Sequence, residues 1–238
     1  MGSVLIEEIP AAQYHAGCRL GFGPGGKLYI TSGDAQQGAL AQDLDSLAGK
    51  ILRINSDGSI PNDNPFPGSP VYSYGHRNPQ GIAWQPGTGL MFATEHGPSG
   101  WDGPKGGDEI NLIQAGANYG WPLVSHDGKL AGTESPLVQF TPAVAPAAAM
   151  IYHSDVLPMF DGSLLFGALR GEGLVRLSLD TRDGSISGEA EWVVADVGRV
   201  REVVQGPDGF IYFSTSNRDG RGTIQAGDDK IYRIMPVY

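Results

Sequence analysis

Arg19-Leu-Gly-Phe-Gly-Pro-Gly-Gly-Lys-Leu-Tyr-Ile-Thr-Ser32 sets two short apolar runs around a Gly/Pro turn. The chain writes the pattern again as Arg201-Glu-Val-Val-Gln-Gly-Pro-Asp-Gly-Phe-Ile-Tyr-Phe-Ser-Thr215. Looser copies run from Gln80 to Thr94 and from Met159 to Gly167. Runs rich in β-branched and aromatic residues, bounded by Gly and Pro, read as strands, so each copy predicts strand, turn, strand. A third element also recurs, as Gly49-Lys-Ile-Leu-Arg-Ile54, Gly173-Leu-Val-Arg-Leu177 and Lys230-Ile-Tyr-Arg-Ile234. Tyr29, Phe92, Leu165 and Tyr212 mark equivalent places in the hairpins, separated by 63, 73 and 47 residues. Blade-sized periods with several strands each are those of a β-propeller. A β-sandwich whose turns look alike by chance is the alternative. The recurring order of strand, turn, strand, loop, strand favours the propeller. Gln42–Leu47 and Gly107–Gln114 are expected to hold a helical turn or two, too little to build a core. The expected architecture is all-β, one domain over residues 1–238, with about four blades.

Composition agrees. The 238 residues suffice for one sizeable core, and 36 glycines with 17 prolines suit many strands joined by tight turns. A net charge of −10, with scattered acids, argues against a nucleic-acid partner. No apolar run is long enough to span a membrane; residues 141–151 are apolar but short and contain Pro142 and Pro146. Cys18 is the sole cysteine, which excludes an intrachain disulfide and fits cytoplasm or a disulfide-free periplasmic protein. The start shows no signal-peptide pattern.

The repeat also sorts the polar residues. His15, Arg77 with Asn78, and Arg199 with Arg201 stand at the heads of hairpins, while Asp34, His96, Arg170 and Asn217 stand at hairpin ends. Equivalent positions of a propeller share a radius and a face, so this set is expected to converge at one mouth of the central channel. The richest stretch is Tyr74-Gly-His-Arg-Asn-Pro-Gln-Gly81, followed by Glu95-His-Gly-Pro98, Asp108-Glu109 and Asn118-Tyr-Gly-Trp-Pro122. Glycines admit close backbone approach and an arginine fork recognises carboxylates, so the mixture reads as an anionic-cofactor and cation site on loops. Arg199 and Arg201 alternate on a strand, pointing two guanidinium groups to one face, which calls for an anion between them. Asp34 reads as a turn aspartate, not a catalyst. Asp108-Glu109 alone would read as an acid pair at a helix start. Trp101, in a Gly-rich loop, is the tryptophan placed to face a bound molecule.

Together these motifs resemble the soluble glucose/sorbosone dehydrogenases, especially the bacterial aldose sugar dehydrogenases that use pyrroloquinoline quinone (PQQ). The resemblance also rests on His15-Ala-Gly-Cys-Arg-Leu20, Asp57-Gly-Ser-Ile-Pro61, Asp63-Asn-Pro65 and Arg199-Val-Arg201, and it covers nearly the whole chain. It implies a six-bladed quinoprotein propeller, of which this chain carries cues for about four blades, short at its N-terminal side. Open strand edges would then invite pairing with a second copy, a homodimer. Cys18 stands where the family usually has a second glycine, and Arg170 where some members have lysine.

The resemblance also implies roles. His15 is the expected general base, a task that imidazole suits near neutral pH; capping a strand end is its plainer reading. Arg77 and Asn78 are expected at the cofactor, with Arg77 also steadying negative charge during hydride transfer. His96, Arg170, Arg199 and Arg201 complete the cofactor set. Gly97 and Pro98 are expected to hold a catalytic calcium ion (Ca2+) through their carbonyls, and Glu109 with Tyr119 a second one. His96 and Asp108 are expected to line the Gly97–Pro98 calcium site or orient its waters. The implied reaction is oxidation of the C1 hydroxyl of an aldose sugar substrate to a lactone, with electrons passed to an external acceptor, in a periplasmic or secreted protein. A catalytically impaired propeller binding module and a calcium-dependent lactonase are the alternatives. The lactonase would need side-chain carboxylates on its calcium where this chain offers arginines.

Overall fold

The computed structural model describes residues 2–236. Its strands follow one another up and down in four antiparallel sheets, each made from one continuous stretch of chain. The first holds β1 (Leu20–Phe22), β2 (Leu28–Ser32), β3 (Lys50–Ile54) and β4 (Val71–Tyr74). The second holds β5 (Pro79–Trp84), β6 (Met91–Glu95), β7 (Asp108–Ile113) and β8 (Val138–Phe140). The third holds β9 (Pro146–Ile151), β10 (Ser163–Ala168), β11 (Gly173–Leu179) and β12 (Ile186–Val194). The fourth holds β13 (Val200–Gln205), β14 (Ile211–Thr215) and β15 (Ile231–Ile234). Each first strand packs against the next sheet's first strand, β1 on β5, β5 on β9 and β9 on β13, which is the arrangement of propeller blades around an axis. Arg19, just before β1, reaches Glu202 on β13 at 2.7 Å, so the first and fourth blades meet near that axis.

The repeat is visible in the turns. Gly23 N–H donates to Lys27 O and Gly206 N–H to Phe210 O, closing the β1–β2 and β13–β14 hairpins alike. Tyr29, Phe92, Leu165 and Tyr212 all lie on second strands. Side chains alternate across each blade, so one strand feeds two cores. On β10, Phe166 packs with Phe92, Ile110 and Phe140 of the second blade, while Leu165 packs with Val200, Val203 and Phe213 of the fourth. Each such fully buried side chain contributes roughly 1.5–3 kcal/mol.

Three local expectations are corrected. Asp108–Ile113 is strand β7, paired to β6 from Glu95↔Glu109 to Met91↔Ile113 and to β8 from Asp108↔Phe140 to Ile110↔Val138, so neighbours on both sides take up its backbone hydrogen bonds. The helical turn near Gln42 is instead a 3-10 turn at Gly38–Ala41, with Gln42–Leu47 irregular. Pro158–Phe160 is also a 3-10 turn, and the strand that precedes β10 is the alanine-rich β9, which residue pattern did not single out. No helix among the described residues is long and apolar enough to cross a membrane.

Candidate active site

The loops at the hairpin heads surround a cavity of about 840 Å³. His15, Arg77, Asn78, His96, Gly97, Pro98, Asp108, Arg170, Arg199 and Arg201 all reach its wall, as does Trp101. Asp34 and Asn217 do not. They stand one layer behind, Asp34 on His15 and Asn217 Oδ1 accepting the Arg199 amide at 2.8 Å. Glu109 and Tyr119 are also absent from this wall; they line a separate, one-atom-sized cavity of about 10 Å³. Arg77, His96, Gly97 and Pro98 border both and form the partition between them.

His15 sits in a left-handed conformation, φ 57°, with Gly33 tucked against its carbonyl. Its Nδ1 lies 2.8 Å from Asp34 Oδ1, and its Nε2 lies 2.9 Å from Arg77 Nη2. Arginine only donates, so Nε2 accepts and Nδ1 carries the proton toward Asp34. The ring stacks on Trp101, with centroids 5.5 Å apart. The ring is thus held on three sides, by Asp34, Arg77 and Trp101.

Arg77 is fixed by its own turn. Glu95 at the end of β6 accepts the Arg77 and Asn78 amides and also His76 Nδ1, 2.8 Å away. His76 in turn stacks on Tyr119 and meets Ser73 Oγ at 2.9 Å. Ser73, His76 and Glu95 stand in the order of a hydrolytic triad, yet Ser73 and His76 are fully buried and touch neither cavity, so the trio acts as scaffold. The Arg77 guanidinium pairs with Asp102 at 2.6 Å and donates to His96 O at 3.0 Å and Ser99 Oγ at 3.1 Å. Asn78 Oδ1 accepts from Gly17 N and Gln80 Nε2.

Arg199 and Arg201 do share an anion, and it is one that sequence reasoning missed. Asp219 Oδ2 lies 2.9 Å from Arg199 and 2.8 Å from Arg201. Burial works to raise the Asp219 carboxyl, but the Arg221 amide and the two guanidinium groups outweigh it and hold it below the usual carboxylate range. Arg221 itself lines the cavity and stacks over Tyr14 at 5.1 Å. Lys105 is a further cation on the wall. Arg170, Lys105 and Arg221 have no carboxylate partner among the described residues.

The partition is chemically unusual. Burial pushes the His96 imidazole down to about 4, with Asp108 pulling up and Arg77 pushing further down, so the ring is neutral. Its Nε2 is buried and has no hydrogen-bond partner among the described residues. Asp108, by contrast, is fully engaged, accepting the Gly97 amide at 2.8 Å and the Ala145 amide at 2.6 Å. The Pro98 carbonyl accepts the Gly106 amide at 3.2 Å, which leaves it a second lone pair. In the small cavity, burial and then the neighbouring Glu95 push the Glu109 carboxyl up to about 8. The described residues hold no group of three or more His, Cys, Asp or Glu side chains arranged for a metal ion, so a cation here would lean on main-chain oxygens as well.

Known proteins resemble this chain in sequence and fold. The family model described as Glucose / Sorbosone dehydrogenase matches residues 2–226. Aldose sugar dehydrogenase YliI of Escherichia coli K12 is 38% identical over 229 residues, covering 87% of this chain and 58% of that protein. Quinoprotein glucose dehydrogenase B of Acinetobacter calcoaceticus is 28% identical, covering 97% of this chain and 64% of that protein. Among solved structures, the PQQ-bound form of aldose sugar dehydrogenase from Streptomyces coelicolor superposes with a TM-score of 0.83 at 38% identity, covering 94% of this chain and 63% of that one. The chain therefore spans a little over half the length of the E. coli relative. With four propeller blades and a family match over residues 2–226, the chain belongs to the glucose/sorbosone dehydrogenase family.

Proposed function

We propose that the large cavity binds PQQ with calcium and oxidises the C1 hydroxyl of aldose sugars to lactones. The observation that carries this reading is charge. In a chain of net charge −10, six cationic side chains gather on the wall: Arg77, Lys105, Arg170, Arg199, Arg201 and Arg221. Among the described residues, only Asp108 and Asp219 on the wall, and Asp102 behind Arg77, oppose them. The excess suits a ligand with three carboxylates, and guanidinium forks recognise carboxylates bidentately. The orphaned, neutral His96 Nε2 offers that ligand one further polar contact.

When bound, PQQ supplies a quinone as hydride acceptor. His15 Nε2 takes the proton of the C1 hydroxyl as hydride leaves C1, so both electrons of the C–H bond depart with hydrogen and the C1–O bond becomes a carbonyl. Asp34 stabilises the imidazolium that results. Arg77, next to His15, steadies negative charge that develops on oxygen. Gly97 and Pro98 offer carbonyls to a calcium ion, and Glu109 with Tyr119 forms the second cation position, in a cavity of one-ion size. Trp101, stacked beside His15, gives the sugar an apolar face. An external acceptor removes the electrons, and the expected location is periplasmic or secreted.

Reconstitution tests this. With PQQ and Ca2+ added, the protein should reduce a dye when an aldose is supplied, and EDTA should abolish the activity. PQQ binding without dye reduction would leave only a binding module. Lactone hydrolysis without PQQ would replace the proposal with the lactonase.

A further inference from the structure

The proposed reaction asks His15 and Arg77 to keep a fixed relation, yet they come from segments 62 residues apart. One side chain touches the supports of both. Trp121 Nε1 donates to Asp34 Oδ2 at 2.8 Å, the oxygen opposite the one facing His15. The Arg77 guanidinium lies 5.5 Å from the centroid of the same indole, within cation–π range. We infer that Trp121 is a positioning residue that holds Asp34, and through it His15, in register with Arg77. The inference rests on the roles proposed for His15 and Arg77.

Hydrogen-bond chemistry supports it. An indole N–H can only donate, and the Gln36 amide donates to Asp34 Oδ1 at 2.9 Å. Both Asp34 oxygens therefore accept, which places the proton of the Asp34–His15 bond on Nδ1. His15, Asp34 and Trp121 are each at least nine-tenths buried, so water is a poor substitute for any member. Removing the indole N–H would leave a buried carboxylate oxygen without that partner.

Trp121 is itself anchored. Its amide donates to Gly75 O at 2.9 Å, and its carbonyl accepts from Gln42 Nε2 at 2.7 Å. Gln42 and Asn118 exchange side-chain hydrogen bonds at 2.9 and 2.8 Å. Gly38 packs so closely that a Cβ there would lie 3.2 Å from Trp121 Nε1 and 3.1 Å from Pro122 Cβ. Lys50 Nζ binds the carbonyls of Leu40 and Ala41 and so fixes the turn that carries Gly38. The indole is clamped from the chain side and aimed at Asp34.

The groups that face His15 are Asp34 after β2, Arg77 before β5 with Asp102 behind it, and the Trp101 ring after β6. Protonation of His15 is thus relayed to Trp121 through Asp34. The test is an NMR titration of the 15N-labelled protein without cofactor. The chain has four tryptophans, so four indole signals, and Trp121→Phe identifies the one concerned by its loss. That signal should move with pH along the same curve as the His15 ring, and should stop doing so in His15→Ala. A Trp121 signal that stays flat through the His15 titration would overturn the inference. In reconstituted protein, Trp121→Phe should lower kcat by about tenfold or more with little change in KM; unchanged kcat would also overturn it. Because the titration uses protein without cofactor, its outcome is separate from whether PQQ binds.

Discussion

Nη2 of Arg77 stands 2.9 Å from Nε2 of His15, so the cation and the base occupy each other before any ligand arrives. A proton accepted by Nε2 ends that hydrogen bond and frees one Arg77 donor for oxygen on the ligand side. His15→Asn should keep PQQ binding and lower kcat roughly 100- to 10,000-fold. Steady-state dye reduction beside a binding titration checks both halves; full turnover in the variant would remove His15 as the base.

Asp219 fills the place between Arg199 and Arg201 that a ligand carboxylate would take. Asp219→Asn should destabilise the protein without cofactor by about 1–3 kcal/mol, because two guanidinium groups lose their shared anion. It should also tighten binding of PQQ, which no longer competes with that anion. Denaturant unfolding and calorimetry read the two effects. Weakened binding would mean that Asp219 aims the arginines instead of competing for them.

A Cβ at Gly33 would lie 2.0 Å from the His15 carbonyl oxygen and 3.0 Å from Asn78 Oδ1. Gly33→Ala should therefore move the His15 backbone, with a stability loss above about 2 kcal/mol and loss of activity. A variant with wild-type unfolding and wild-type kcat would contradict the packing described here.

Lys50 gives a pH dependence. Burial pushes its ammonium down to about 8, against the pull of Asp43, although three carbonyls accept its protons. Below that pH both folded and unfolded chains hold the proton. Between there and the unfolded value of about 10.4 the unfolded chain binds more protons, so this group's contribution to stability rises with pH. The slope is at most about 1.4 kcal/mol per pH unit. Unfolding at pH 8, 9 and 10 should show wild type gaining on Lys50→Met; a flat or falling difference would contradict the assignment.

The sequence made the blades legible because β1–β2 and β13–β14 share one hairpin pattern, and Tyr29, Phe92, Leu165 and Tyr212 mark its copies. It hid β9, because Pro146 and three alanines carry little strand propensity and take their conformation from neighbouring blades. It hid β7 behind an acid pair that suits a helix start just as well. The cavity residues were legible because they sit at hairpin ends. Their partners were not. Asp34 looks like any turn aspartate until Trp121, 87 residues on, donates to it, and Asp219 looks like loop filler until two arginines converge on it. Such roles belong to the fold and leave no local pattern.

In the proposed function, separate cationic loops build one site for a tricarboxylate cofactor. Spectroscopic titration of the purified protein with PQQ in the presence of Ca2+ tests it most directly, run beside an Arg199→Ala/Arg201→Ala double variant. Wild type should bind saturably and one to one, and the variant at least about tenfold more weakly. No saturable binding in wild type, or equal binding in both proteins, would contradict it.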